Sequence, residues 1–314
     1  MNTRRIGSLD VSTVGLGCNN FGWHIDEASS QAVVDAALDA GITHFDTAES
    51  YGDGASESFL GRALGGRRDD VTIATKFGHR KPDGPTGQAA PDAVRAACEA
   101  SLRRLGTDRI DLYYLHRPDP DTPLADTLGA LSRLVDEGKV REIACSGFSA
   151  EQLREADRAA ASGARFVALQ NEYSLLHREP EGTTLDASRD LGIAFVPYFP
   201  LKSGLLTGKY RKGDVPSGSR LAGDTEGSYF NSMGDKVLTD DNLDIVERLI
   251  DFAEARGHTI LDLAFSWLLA HEPVASVIAG ATKPEQIRQN VEAAGWQLTE
   301  DDLAEVDRIT AQPA

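Results

Sequence analysis

The chain has 314 residues, 41% of them apolar, with 32 basic and 49 acidic side chains and a formal net charge of −17. That balance disfavours a nucleic-acid partner, which needs positive surface, and no apolar run approaches the ~20 residues of a membrane span. The amino terminus lacks an apolar signal region, and Cys18, Cys98 and Cys145 show neither zinc nor disulfide spacing; the expectation is a cytoplasmic protein with no metal. Unbroken alternation of strand-like and helix-like patterns predicts a single domain over 1–314.

Arg4-Arg5-Ile6 and Val11-Ser12, joined around Gly7-Ser8, predict a short hairpin. Val14–Leu16 is the first barrel strand, followed by a glycine-rich loop from Gly17 to Trp23. That loop is not a dinucleotide fingerprint, because Asn20 stands where the third glycine would be. A helix over Ala28–Ala40 ends at Gly41. Strands follow at Thr43–Asp46, Val71–Thr75, Ile110–Leu115, Val140–Cys145, Phe166–Leu169, Ile193–Val196 and Ala275–Ile278. Helices between them are expected over Ser56–Leu64, Pro91–Leu105, Thr122–Asp136, Ala150–Ser162, Thr183–Leu191, Asp240–Arg256, Thr259–His271 and Pro284–Ala294, with a last one over Thr299–Ile309. Eight strand–helix steps in order predict an α/β fold, a (β/α)8 TIM barrel with an N-terminal bottom-capping hairpin and two additional helices. The stretch from Lys202 to Lys236 is long and irregular, which marks a functional loop, a lid or a disordered segment.

Three of these strands end in chemistry. Asp46 closes one, with Tyr51 in its loop; Lys76 follows the next, and His116 the one after. Each residue alone has an ordinary structural explanation. Their common position at the C-terminal ends of successive parallel strands does not, because barrel enzymes place their chemistry there. The expectation is that Lys76 lowers the Tyr51 pKa, Asp46 holds Lys76, and His116 orients or shares the proton. Alternatives are a Schiff-base lyase using Lys76 and a cofactor-binding redox sensor with little turnover.

The stretch Asp46-Thr47-Ala48-Glu49-Ser50-Tyr51-Gly52, with Lys76 and His116-Arg117-Pro118, resembles the aldo-keto reductase superfamily. So do Tyr198-Phe199-Pro200-Leu201, the run Gly204–Tyr210 and the run Gly280–Gln286. The match spans the chain in family order and is closer to the bacterial, channel-β-like branch. Channel-associated β subunits have Asn at the position of His116, so the histidine favours an enzyme. The resemblance implies a reductase of small carbonyl compounds that uses NADPH, with NAD possible. It makes Asp46, Tyr51, Lys76 and His116 the catalytic set. It also implies that Ser146 and Gln170 hold the nicotinamide carboxamide, that Gly147 beside them touches the cofactor through its backbone or not at all, and that Tyr198 stacks on the ring. Gly17, Cys18 and Asn19 would line the cofactor, as would Phe199, Pro200, Leu201, Lys202, Ser203, Lys209 and Arg220. Gly280, Thr282, Lys283, Gln286, Gln289 and Asn290 would hold its adenosine end. Two positions depart from many relatives: Gly147 stands where they have Asn or Arg, and Gln286 where some have Arg. Trp23, Tyr51, His116, Tyr229 and Phe230 are expected to line the substrate pocket, and Arg80 or Arg117 to receive an anionic substrate if there is one.

Overall fold

A computed structural model describes residues 1–79, 86–217, 219, 221–222, 234 and 236–311. A two-stranded antiparallel hairpin comes first, β1 (Thr3–Ile6) and β2 (Leu9–Ser12), turning at Gly7. Eight parallel strands follow: β3 (Val14–Gly17), β4 (His44–Asp46), β5 (Thr72–Phe77), β6 (Ile110–Leu115), β7 (Val140–Ser146), β8 (Phe166–Glu172), β9 (Ala194–Tyr198) and β10 (Val277–Gly280). They pair in chain order, and β10 returns to β3. The remaining seam, between β9 and β10, closes through 273–275: Phe195 N donates to Pro273 O at 2.6 Å, and Ala275 N to Phe195 O at 2.9 Å. The chain is a (β/α)8 barrel.

The outer ring is α1 (Glu27–Asp39), α2 (Ala55–Leu64), α3 (Pro91–Leu105), α4 (Leu124–Asp136), α5 (Ala150–Ala159), α6 (Thr184–Leu191), α7 (Asp240–Glu254), α8 (Ile260–Leu269), α9 (Pro284–Ala293) and α10 (Glu300–Thr310). Their starts follow from local chemistry. Asp26 accepts from Ser29 N to cap α1, capping boxes open α5, α8 and α10, and proline stands at the start of α3 and α9. The supernumerary helices are α7, before the β9–β10 crossover helix α8, and α10 after the last barrel unit. Among the described residues no helix is long and apolar enough to cross a membrane.

Side chains alternate across each strand, so two apolar layers form. The larger lies between strands and helices. The smaller fills the barrel with Ala74, Leu112, Tyr114, Ala144, Ala168, Val196 and Ile278, and is sealed from below by Ile6, Leu9 and Val11 of the hairpin. Ser8 N donates to Glu142 Oε1 at 2.7 Å and ties the hairpin turn to the foot of β7.

Several strands run further than the sequence pattern predicts. β5 continues through Lys76 to Phe77, β7 includes Ser146, and β8 adds Gln170, Asn171 and Glu172. The added β8 residues are polar, so an apolar pattern stops before them; their backbones still pair with Val196, Pro197 and Tyr198 of β9. β10 is later than expected, because 273–275 is spent on closing the seam. The described part of the long segment is more structured than its composition suggests. Lys202–Thr207 forms a 3-10 turn, Lys212 Nζ meets Asp244 Oδ1 of α7 at 2.8 Å, and the buried Tyr210 accepts from Leu221 N at 3.2 Å.

Candidate active site

The inward face of β4 and β5 brings a carboxylate and an ammonium together above the apolar plug. Lys76 is 0% exposed and Asp46 2%. Lys76 Nζ donates to Asp46 Oδ1 at 2.5 Å, to Thr47 O at 2.8 Å and to Tyr51 Oη at 3.4 Å. An ammonium has three protons, so this one is fully engaged. The second carboxylate oxygen of Asp46 accepts from Gln170 Nε2 at 2.9 Å. The Thr47 carbonyl is fixed from two sides: Thr47 N donates to Ala74 O, and its hydroxyl pairs with Ser56, which donates to Cys18 O.

Tyr51 starts a 3-10 turn at the top of β4. The turn needs glycine at 52, where φ is +56° and a Cβ would fall 2.9 Å from Phe21 O. His116 follows β6, and its amide donates to Phe77 O at 2.7 Å. Its ring stands edge-on to Tyr51, with centroids 6.1 Å apart. Among the described residues its buried Nδ1 has no hydrogen-bond partner.

Burial and charge fix the protonation states. Burial raises the Tyr51 pKa and outweighs the lowering by Lys76, so the net direction is upward. The sequence-based expectation of a lowered phenol pKa is right about the effect of Lys76 and wrong about the sum. Burial pushes Lys76 down, but Asp46 and Tyr51 together hold it above its ordinary value. It stays an ammonium, which removes the neutral amine that the Schiff-base alternative requires. Burial, then Lys76, His79 and Arg117, drive His116 well below its usual range. The resting set is a phenol, an ammonium and a neutral imidazole beside Asp46.

Two further residues stand beside this set. The His79 ring lies 4.8 Å from that of His116, centroid to centroid. Glu49 Oε1 accepts from Gly78 N at 2.9 Å, and its carboxylate also receives the His79 amide, so it ties the Tyr51 loop to the loop after β5. The available signal for Glu49 was its place between Asp46 and Tyr51.

The other expected residues fall into three groups. Ser146 and Gln170 are register partners on β7 and β8, both 3% exposed, and Tyr198 ends β9 next to them. Gly147 N is held by Gln170 O and Asn171 Oδ1. After Tyr198, positive φ at Phe199, Lys202, Ser203 and Gly204 turns the chain through Pro200 and Leu201. Lys209 Nζ would lie 3.3 Å from a Cβ at Gly204. Lys202 Nζ meets Glu172 Oε1 at 2.6 Å. Gly280 ends β10 beside Gly17, and a Cβ on it would fall 3.0 Å from Asn19 Oδ1, so the tops of β3 and β10 abut. Gln286 Oε1 accepts from Thr282 N at 2.7 Å and Lys283 N at 3.2 Å. Farther along α9, Asn290 is buried and Gln289 exposed; Cys18 is buried with its thiol pKa pushed up by that burial. Trp23 is exposed and stacks on His24. Arg80, Arg220, Tyr229 and Phe230 lie outside the described residues.

A nicotinamide dinucleotide fits this donor set. An aromatic face beside a hydroxyl and an amide complements a ring bearing a carboxamide. A glycine turn under Lys209 suits a pyrophosphate.

Comparison with known proteins agrees with the geometry. The family model "Aldo/keto reductase family" matches residues 13–311. An aldo-keto reductase of Strobilurus tenacellus is 37% identical over 99% of this chain and 92% of its own. An L-glyceraldehyde 3-phosphate reductase of Escherichia coli K12 is 34% identical over 96% of this chain and 90% of its own. The solved structure of a glycerol dehydrogenase from Gluconobacter oxydans superimposes with a TM-score of 0.84 at 30% identity, covering 98% of this chain and 94% of that one.

Below Asp46 on the same face of β4, His44 Nδ1 pairs with Ser276 Oγ at 2.9 Å. The pair occupies space that a side chain at Gly15 would fill, since a Cβ there would lie 3.1 Å from His44 Nδ1. Burial chiefly lowers the His44 pKa from 6.5 to about 4. Between those values the unfolded chain binds a proton that the native chain does not. His44 therefore costs stability as pH falls through this window, by about 1.4 kcal/mol per pH unit at most. Urea unfolding of wild type and His44→Asn should show the wild-type advantage shrinking by ~2 kcal/mol between about pH 7 and about pH 4.5. Parallel stability curves would contradict the assignment of a neutral, buried His44.

Proposed function

The chain belongs to the aldo/keto reductase family of oxidoreductases, and from that membership we propose that it reduces a small aldehyde or ketone to the alcohol with a nicotinamide dinucleotide as cofactor. The observation that carries this reading is the fully buried Lys76 ammonium hydrogen-bonded to both Asp46 and Tyr51. The one contribution required from outside the chain is a hydride to the carbonyl carbon, which a bound reduced nicotinamide supplies. Tyr51 gives the proton that the carbonyl oxygen takes as the C=O π pair moves onto it. The phenolate left behind is stabilised by the ammonium 3.4 Å away. His116, kept neutral, retains one N–H with which to orient the carbonyl oxygen. Ser146, Gln170 and Tyr198 would hold the nicotinamide end, Lys209 the pyrophosphate, and Lys283 with the start of α9 the adenosine end. Buried, unpaired cysteines support a cytoplasmic setting. The names of the relatives, an L-glyceraldehyde 3-phosphate reductase and a glycerol dehydrogenase, make short hydroxylated carbonyl compounds the first class to assay.

Tyr51→Phe should lower kcat for a good aldehyde by ~10²–10⁴-fold, the size of general-acid assistance, while the Kd for NADPH stays within a factor of about three. A variant with near wild-type kcat would contradict the proton-donor role.

Cofactor preference rests on Lys283, which has no carboxylate partner among the described residues. The two amides ahead of α9 already donate to Gln286 Oε1, so the cation is the group left for the 2′-phosphate. A cation on the 2′-phosphate is worth ~1.5–3 kcal/mol, so NADPH should bind at least about ten-fold more tightly than NADH. Fluorescence titration should show Lys283→Glu erasing that difference. Equal wild-type Kd values would overturn the NADPH preference and leave the reductase reading intact.

A further inference from the structure

Arg117 follows His116 directly and turns back across the barrel mouth. A Cβ at Gly147 would fall 2.8 Å from its Nη1 and 3.4 Å from its Cδ, so the guanidinium occupies the space above the end of β7 that the missing side chain leaves. Gly147 has φ +71° and its amide is pinned by Asn171 Oδ1 at 2.8 Å, so the floor under the guanidinium is fixed. Arg117 also lies close enough to Tyr198 for its charge to lower the phenol pKa, against the larger raising by burial. One phenol oxygen cannot engage five N–H donors. Among the described residues no carboxylate lies within ion-pair distance of Arg117, although acids outnumber bases 49 to 32 in the chain. A guanidinium is planar and forked, and its strongest partners are carboxylates and phosphates held bidentately.

Resting on the reductase reading above, we infer that the carbonyl substrate carries an anionic group, a carboxylate or a phosphate, and that Arg117 binds it. With a net charge of −17 the surface as a whole repels anions. Selection for one must therefore come from a cation placed at the mouth, next to His116 and the Tyr198 ring. Arg117 is such a cation. Gly147 is part of the device, because any side chain there displaces the guanidinium.

The test compares matched aldehydes: succinic semialdehyde against its methyl ester, and glycolaldehyde phosphate against glycolaldehyde. In wild type, kcat/KM for at least one charged aldehyde should exceed that of its neutral partner by about ten-fold or more, and the pair showing it identifies carboxylate or phosphate. Arg117→Gln should bring that ratio close to one, and Arg117→Lys should keep part of it. A wild-type ratio near one in both pairs, or a ratio unchanged in Arg117→Gln, overturns the inference. If none of the four aldehydes turns over, the reductase reading fails separately. Calorimetric titration with succinate and inorganic phosphate then decides the anion site: binding to wild type that is lost in Arg117→Gln upholds it, and equal binding or none overturns it.

Discussion

An ammonium with no exposure to solvent survives in a protein only if every proton finds an acceptor and an opposite charge stands close by. Lys76 meets both conditions, with Asp46, Thr47 O and Tyr51 Oη as acceptors. None of these is on its own strand. The pair exists because β4 and β5 are parallel neighbours in a register that sets Asp46 opposite Ala74, one inward position below Lys76. Slipping β5 by one residue would turn the lysine outward and leave Asp46 buried alone, and slipping β4 would do the reverse. The barrel and the site are thus one arrangement.

The same demand spreads outward. Asp46 has a second oxygen to satisfy, and Gln170 supplies the donor from across the barrel, so a residue of the expected carboxamide site also braces the ion pair. Glu49 spans the two loops that carry Tyr51 and His79. Beneath the ion pair the barrel-filling side chains and the hairpin form an apolar layer, and burial raises the Tyr51 pKa despite the nearby cation. A phenol kept protonated by burial and steadied as a phenolate by Lys76 is suited to give up its proton only when charge develops on a substrate oxygen.

Much of this was legible in the sequence. Apolar runs of strand length, each ending at Asp46, Lys76 or His116, identified the barrel and the rim where these side chains meet, and the motif around Tyr51 identified the family. The same patterns ended β8 too early at Gln170, because the rim residues are polar while their backbones still pair. The ion pair of Lys202 with Glu172, a partner 30 residues earlier in the chain, was not legible either, because only the β8–β9 pairing brings the two close. Burial around Tyr51 sums over many strands and has no local signature, so the phenol pKa was misjudged. Arg117 was visible as a candidate for an anion. Its seat above Gly147, two strand ends brought together by folding, was not.

The coupling between Lys76 and Tyr51 is open to direct measurement. Ring-carbon NMR of labelled tyrosine, with the Tyr51 signal identified by its loss in Tyr51→Phe, follows the phenol through its titration. Tyr51 in wild type should titrate above the ordinary tyrosine value, because burial outweighs the cation. In Lys76→Met it should titrate higher still, since the lowering by the ammonium is gone and Asp46 remains. A Lys76→Met titration at the same or lower pH than wild type would contradict the claim that the buried ammonium stabilises the Tyr51 phenolate.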